Sequence, residues 1–262
     1  VRALEKGMNV LVEKPVCLTE EDCQILLEAE KRSGKKVMVG QVVRSFEEYK
    51  YLKEAYDTKK FGKLKSITME RISGDVKWGF EDWFHKEEKS GSVVLDLHVH
   101  DLDFLRYMLG EPDSFQVKAS SFASGMINHI ITEYEFGDVF ATAEGIWDES
   151  PAMKFHAAFR AHFEDATIEF NGAQSPSLTV YKKDGTVETP ELKAEYEGES
   201  DVAGINVSNL GPYYTEIKYF QECVREDKPV EVAPLIEGVR SVQLGIKEWN
   251  AAKEYVDAHE SK

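Results

Sequence analysis

The sequence predicts a short parallel α/β unit followed by an α+β domain with a large, mostly antiparallel open sheet. Three observations carry this expectation. Residues 1–43 alternate helix and strand. The middle of the chain alternates apolar and polar residues with a period of two, between glycine turns. The end returns to helical periodicity. The 262 residues, 42% of them hydrophobic, suffice for one large domain or two modest ones.

In chain order, Gly7 closes an opening helix. Asn9 to Val12 reads as a short buried strand. Thr19 and Asp22 form a capping-box variant, T-x-x-D, which opens a helix through Glu20 to Arg32. Ile25, Leu26 and Ala29 share one face of it, and Gly34 stops it. Lys36 to Val39 is the next strand. Strand, crossover helix, strand is the parallel arrangement. Two strands do not make a stable sheet alone, so further strands are expected upstream.

From Ser45 the pattern changes. Glu47 to Lys59 reads as a helix stopped near Gly62, Lys65 to Ile72 as a strand, and Trp78 to Trp83 as an aromatic loop. Ser92 to Leu109 reads as a helix that ends at Gly110 and Pro112. Phe155, Ala157, Phe159, Ala161 and Phe163 alternate with His156, Ala158, Arg160 and His162, giving a strand with one apolar face. Gly137-Asp138 and Asp184-Gly185 are hairpin signals. Residues 190–210 read as an acidic surface loop. Helices follow from about Tyr213 to Arg225 and from about Leu235 to Ala258. The expected boundaries are 1–43 for the first unit and 44–262 for the second, with the terminal helices packing back on either.

Composition narrows the function classes. Charged residues make up 31% of the chain and the formal net charge is −16. Such a surface repels nucleic-acid phosphates and anionic membranes, so neither is an expected partner. The longest apolar runs are far short of a membrane span. Cys17, Cys23 and Cys223 show no metal or redox spacing and read as reduced thiols of a cytoplasmic protein. The chain opens on Val1 in mid-pattern, without a signal peptide, and reads as the C-terminal part of something longer.

Three stretches carry possible chemistry. In "VLVEKPV", Glu13, Lys14 and Pro15 stand at the carboxyl end of a strand, where ligands of parallel α/β sheets bind. Pro15 restricts the backbone around Lys14 and gives its ammonium a defined place. In "GSVVLDLHVHDLD", Asp96, His100 and Asp103 fall at i, i+4 and i+7 on one helix face. A carboxylate one turn below an imidazole can orient it and raise its pKa, which suits proton transfer near neutral pH. His98 and His100 project about 200° apart on a helix, which argues against a shared metal. In "VGQVVR", Gln41 and Arg44 follow the second strand and approach the same crevice as Lys14. Each stretch also has a plain structural reading, as a solvated pair, a surface pair or linker residues.

Together these stretches resemble the glucose-fructose oxidoreductase and inositol dehydrogenase (Gfo/Idh/MocA) family of NAD(P)-dependent enzymes. The family's Glu-Lys-Pro matches Glu13-Lys14-Pro15. Its Val-Gly-(His/Gln)-x-x-Arg matches Val39 to Arg44. Its Gly-Gly-then-Asp-x-Gly-x-His-x-x-Asp helix matches Gly91, Asp96, His100 and Asp103. Two positions depart from the pattern: Ser92 replaces the second glycine, and His98 replaces the small residue between Asp96 and His100.

The resemblance implies hydride transfer between a nicotinamide, NAD or NADP, and a sugar, polyol or inositol-like small molecule. It makes residues 1–43 the C-terminal remnant of a Rossmann domain. His100 becomes the proton donor or acceptor, Asp96 a substrate-holding residue that orients His100, and Lys14 the partner of the reacting oxygen. Glu13, Pro15, Gln41 and Arg44 become the nicotinamide side, and Trp83, His98 and Asp103 substrate contacts. The family's G-x-G-x-x-G phosphate loop is not among these 262 residues, so this chain alone is expected to bind NAD(P) poorly and turn over little. Family members often pair through the antiparallel sheet, so a dimer or tetramer is expected. Two other classes compete: a catalytically silent assembly protein that uses that sheet, and a metal-dependent hydrolase built on His98-x-His100.

Overall fold

A computed structural model describes residues 1–76, 79–150, 152–193, 196 and 210–260. The first unit runs α1 (Arg2–Glu5), β1 (Val10–Glu13), α2 (Glu20–Ser33) and β2 (Val37–Gly40). β1 and β2 pair in parallel, Val10 opposite Val37 and Glu13 opposite Gly40. Thr19 caps α2 by accepting the Asp22 N–H at 3.1 Å, and Gly34 closes it in a left-handed conformation. The other edge of β2 meets the stretch before the last helix, where Val39 N–H donates to the Ala233 carbonyl at 2.9 Å.

The second unit begins with α3 (Glu47–Asp57) and β3 (Leu64–Gly74). A short α4 (Glu87–Ser90), a π-helical turn (Val94–His98) and α5 (Val99–Leu109) follow. Next come β4 (Ser114–Ser121), β5 (Ile127–Phe136), β6 (Val139–Asp148), β7 (His156–Phe163), β8 (Ala166–Asn171), β9 (Leu178–Lys182) and β10 (Val187–Glu188). Two long helices, α6 (Gly211–Arg225) and α7 (Leu235–Glu260), complete the described chain. The sheet has eight strands in the order β10-β9-β8-β7-β3-β6-β5-β4. Only the central β3–β6 pair is parallel. The fold is therefore the open, mostly antiparallel sheet that the alternation predicts. β7 buries Ala157, Phe159, Ala161 and Phe163 on one face, in the register expected.

Local differences have physical causes. The helix expected from Ser92 does not start there. Gly91 and Ser92 both have positive φ, 69° and 62°, and the chain then passes through the π turn before becoming α-helical. The second glycine of the family pattern would meet this left-handed backbone without strain, whereas serine sits there at a cost. The Asp184-Gly185 signal makes a three-residue loop rather than a two-residue one. Lys182 N–H donates to the Thr186 carbonyl, and Gly185 takes the φ of 89°. Trp78 and most of the acidic stretch at 190–210 lie outside the described residues.

Helix α7 ties the two units together. Leu235, Val239 and Val242 pack with Leu4, Cys23, Ala29, Val37 and Val39 of the first unit. Further along, Ala252 and Val256 pack with Val93, Val94, Leu97 and Trp147 of the second. On the opposite side of the π turn, β6 comes so close that a Cβ on Gly145 would lie 2.9 Å from His98 Cβ. Gly145→Ala is expected to lower stability by about 1–3 kcal/mol, because neither backbone can yield easily. Urea unfolding checks this.

Candidate active site

β1 ends at Glu13 and delivers Lys14 to the crevice beyond the sheet. The Lys14–Pro15 peptide is cis. Lys14 Nζ donates to the Asp96 backbone carbonyl and to Asp96 Oδ1, the latter at 3.1 Å. Both side chains are largely buried, 16% and 14% exposed, so this is a partly desolvated bridge rather than a surface pair. Asp96 lies in the π turn, where the altered hydrogen-bond register marks a break in the regular helix.

His100 stands one turn further on, buried, with Nδ1 lacking any hydrogen-bond partner. Burial holds its pKa well below the ordinary imidazole value, and the nearby Lys14 and Arg71 cations push it further down. This reverses the expectation that Asp96 raises it. Asp96 spends its carboxylate on Lys14, and no Asp96–His100 hydrogen bond forms among the described residues. The imidazole is therefore neutral at physiological pH and able to accept a proton.

Two buried ion pairs fix the helix that carries His100. Arg71 of β3 grips Asp101 with Nε at 3.0 Å and Nη2 at 2.8 Å, and Nη2 also donates to Tyr49 Oη at 3.0 Å. Arg44 grips Asp103 with Nε at 2.8 Å and Nη2 at 2.7 Å. Asp103 also accepts from Ser241 Oγ of α7 at 2.7 Å, and Arg44 donates to the Val232 carbonyl. The Arg44–Asp103 side chains are both 1% exposed. Breaking such a pair strands a buried charge, at a cost of about 3–5 kcal/mol.

The expected site residues thus divide. Lys14, Asp96 and His100 come together. Glu13 stands beside them at the strand end, close enough for its charge to act on Glu216 and Tyr213 of α6. Gln41 is buried at the start of the turn after β2. Arg44 and Asp103 pair with each other as a buried clasp between the turn after β2 and α5. His98 also turns elsewhere. It is fully buried, and its Nε2 lies 2.8 Å from Glu248 Oε2 and 3.2 Å from Tyr134 Oη. It shares no neighbour with His100 that would make a metal pair. Among the described residues, no group of three or more His, Cys, Asp or Glu side chains is placed to hold a metal. Trp83 stacks on Phe84 at 4.0 Å between ring centres, against the core formed by Val93, Val94, Leu97 and Trp147.

Sequence reasoning missed Arg71, Tyr213, Glu216 and Glu248. Arg71 had a signal: it occupies an inward position of β3, in register with Ile67 and Met69. A charge in an apolar register announces a buried partner. Tyr213, Glu216 and Glu248 had none, because their partners are distant in sequence.

Glu216 is 3% exposed and its Oε2 has no hydrogen-bond partner. Burial, and then the charge on Glu13, raise its pKa from 4.5 to about 8. A raised carboxyl pKa means that the folded state binds this proton more tightly than the unfolded state. Its contribution to stability is therefore lost as pH rises through the window from about 4.5 to about 8. Glu216→Gln is expected to flatten that slope and to raise Tm at pH 8, as thermal unfolding across a pH series will show.

The chain matches known families and proteins. Residues 49–187 match the GFO/IDH/MocA C-terminal domain. Residues 1–41 match the oxidoreductase family with an NAD-binding Rossmann fold. The 1,5-anhydro-D-fructose reductase of Ensifer adhaerens is 24% identical over 82% of this chain, which spans 64% of that enzyme's length. The scyllo-inositol 2-dehydrogenase (NAD(+)) of Bacillus subtilis is 24% identical over 96% of this chain and 70% of its own. Among solved structures, an inositol dehydrogenase homologue complexed with NAD+ from Azotobacter vinelandii superposes with a TM-score of 0.79. It is 18% identical, over 96% of this chain and 72% of that one. The fold, the order of the motifs and the family matches agree: the chain belongs to the Gfo/Idh/MocA oxidoreductase family.

Proposed function

We propose that this chain supplies the substrate-side catalytic residues of an NAD(P)-dependent oxidoreductase acting on a sugar, polyol or inositol-like alcohol. The observation that carries the reading is the Lys14–Asp96 bridge. It brings an ammonium from the end of β1 to the helix of His100, close enough to depress the imidazole's pKa. The relatives acting on an inositol and on an anhydro sugar support the substrate class.

The residues at the strand ends fit the nicotinamide end of such a cofactor. Gly40 lets the Glu13 carboxylate lie against β2, where a Cβ would stand 3.2 Å from Glu13 Oε2, and the crevice holds Lys14 beside a neutral His100. The bound nicotinamide supplies the hydride acceptor or donor. In the oxidation direction, a substrate hydroxyl lies between Lys14 Nζ and the His100 ring. Neutral His100 takes the hydroxyl proton, and the Lys14 ammonium stabilises the negative charge that develops on oxygen. Asp96 keeps the Lys14 ammonium aimed. In the reverse direction protonated His100 returns the proton. Charging a buried imidazole beside two cations is unfavourable, so His100 rests neutral and, once protonated, gives its proton up readily.

Assembly follows the same reading. The sheet's outward face exposes Phe140 at 59%, and a second copy of the chain would cover it.

In the intact enzyme, His100→Ala is expected to lower turnover by roughly 10²–10⁴-fold while cofactor binding persists. Wild-type alcohol oxidation is expected to stay level as pH falls through 6.5, the ordinary imidazole value, and to decline only well below it. Undiminished turnover in the variant, or a decline centred at or above that value, would contradict the assignment.

A further inference from the structure

The spacing of Cys17 and Cys23 suggested two ordinary thiols, yet the fold brings them together. Their Sγ atoms lie 2.9 Å apart, with Cys17 in the turn after Pro15 and Cys23 in the first turn of α2. This gap exceeds a disulfide bond length by only about 0.9 Å. Cys23 is fully buried, whereas Cys17 is partly exposed. The third thiol, Cys223, lies apart and donates to the Pro229 carbonyl at 3.4 Å.

We infer that Cys17 and Cys23 form a reversible disulfide that clasps the Lys14-bearing turn to helix α2. The inference stands on the thiol geometry and holds whether or not the catalytic reading does. Their exposures set the order of events. A low-molecular-weight disulfide reaches Cys17 first. The Cys17 thiolate attacks one of its sulfurs and releases one thiol, leaving a mixed disulfide. Cys23, already in contact, loses its proton to solvent and attacks Cys17 Sγ. The second small thiol leaves as the Cys17–Cys23 bond forms. Two protein thiols are oxidised and one external disulfide is reduced to two thiols.

Burial raises both thiol pKa values, the contact with Cys23 raises that of Cys17 further, and Glu20 and Asp22 add to that of Cys23, so the attacking thiolates are scarce at neutral pH. The exchange is therefore slow at neutral pH and accelerates roughly tenfold per pH unit below those pKa values. This places the pair among slow, sustained responses to redox poise rather than among rapid peroxide sensors.

The test uses the native chain incubated with oxidised glutathione, quenched in acid and alkylated after denaturation. Free thiols are expected to fall from three to one per chain. The tryptic peptide of residues 7–31, which holds both cysteines because Lys14 precedes proline, is expected to lose two hydrogens. Cys223→Ser should still form this bond and end with no free thiol, and dithiothreitol should reverse it. The inference is overturned if three thiols persist at alkaline pH, if the reaction stops at a glutathione adduct of Cys17, or if Cys223 or a second chain supplies the partner sulfur.

Discussion

The arrangement depends on one contact, the bridge from Lys14 to Asp96. The two residues are 82 positions apart and belong to different units of the fold. An ammonium on a flexible stem has many rotamers, and in open solvent a single carboxylate would hold it weakly. Here Lys14 is anchored at both ends. Its backbone leaves a paired strand at Glu13, and its amine meets both a carbonyl and a carboxylate of Asp96. The two units must therefore keep a fixed distance. Helix α7 provides that constraint by packing on both, and the Arg44–Asp103–Ser241 clasp joins the turn after β2, α5 and α7.

The buried charges around α5 form one system. Nearly every residue from Val99 to Arg106 is buried, so each polar side chain there needs a partner. Asp101 finds Arg71, Asp103 finds Arg44, and Arg106 finds Glu111, Glu237 and Ser241. His98 finds Glu248. Nδ1 of both His98 and His100 lacks a partner, but His98 is already held by Glu248 through Nε2, whereas His100 lies beside Lys14. In a helix where neighbouring polar groups are satisfied, an unpartnered imidazole nitrogen beside a cation is the group left for chemistry.

Much of this was legible in the sequence. The strand–helix–strand start, the antiparallel sheet and the Gly137 hairpin all rest on local patterns, and local patterns survive folding. The Glu-Lys-Pro and Asp-x-x-x-His spacings pointed to Lys14, Asp96 and His100 because each motif sits at an element boundary. What escaped was set by tertiary context. Asp103 and Arg44 carry family spacing, yet each other's charge satisfies them. His98 looked like a pocket residue, but the π turn rotates it toward Glu248, 150 residues away. The direction of the His100 pKa shift was misjudged because Asp96 prefers an ammonium that no helical spacing reveals. The Cys17–Cys23 contact was hidden because the turn between them reverses the chain.

The central claim is that Lys14 and His100 act on a single oxygen. A double-mutant cycle on turnover, with Lys14→Met, His100→Ala and the combined variant, tests it most directly. Groups serving one oxygen are strongly non-additive, so the double variant should be scarcely slower than the slower single variant. Losses that simply multiply, tenfold by tenfold, would show two independent roles and contradict the account.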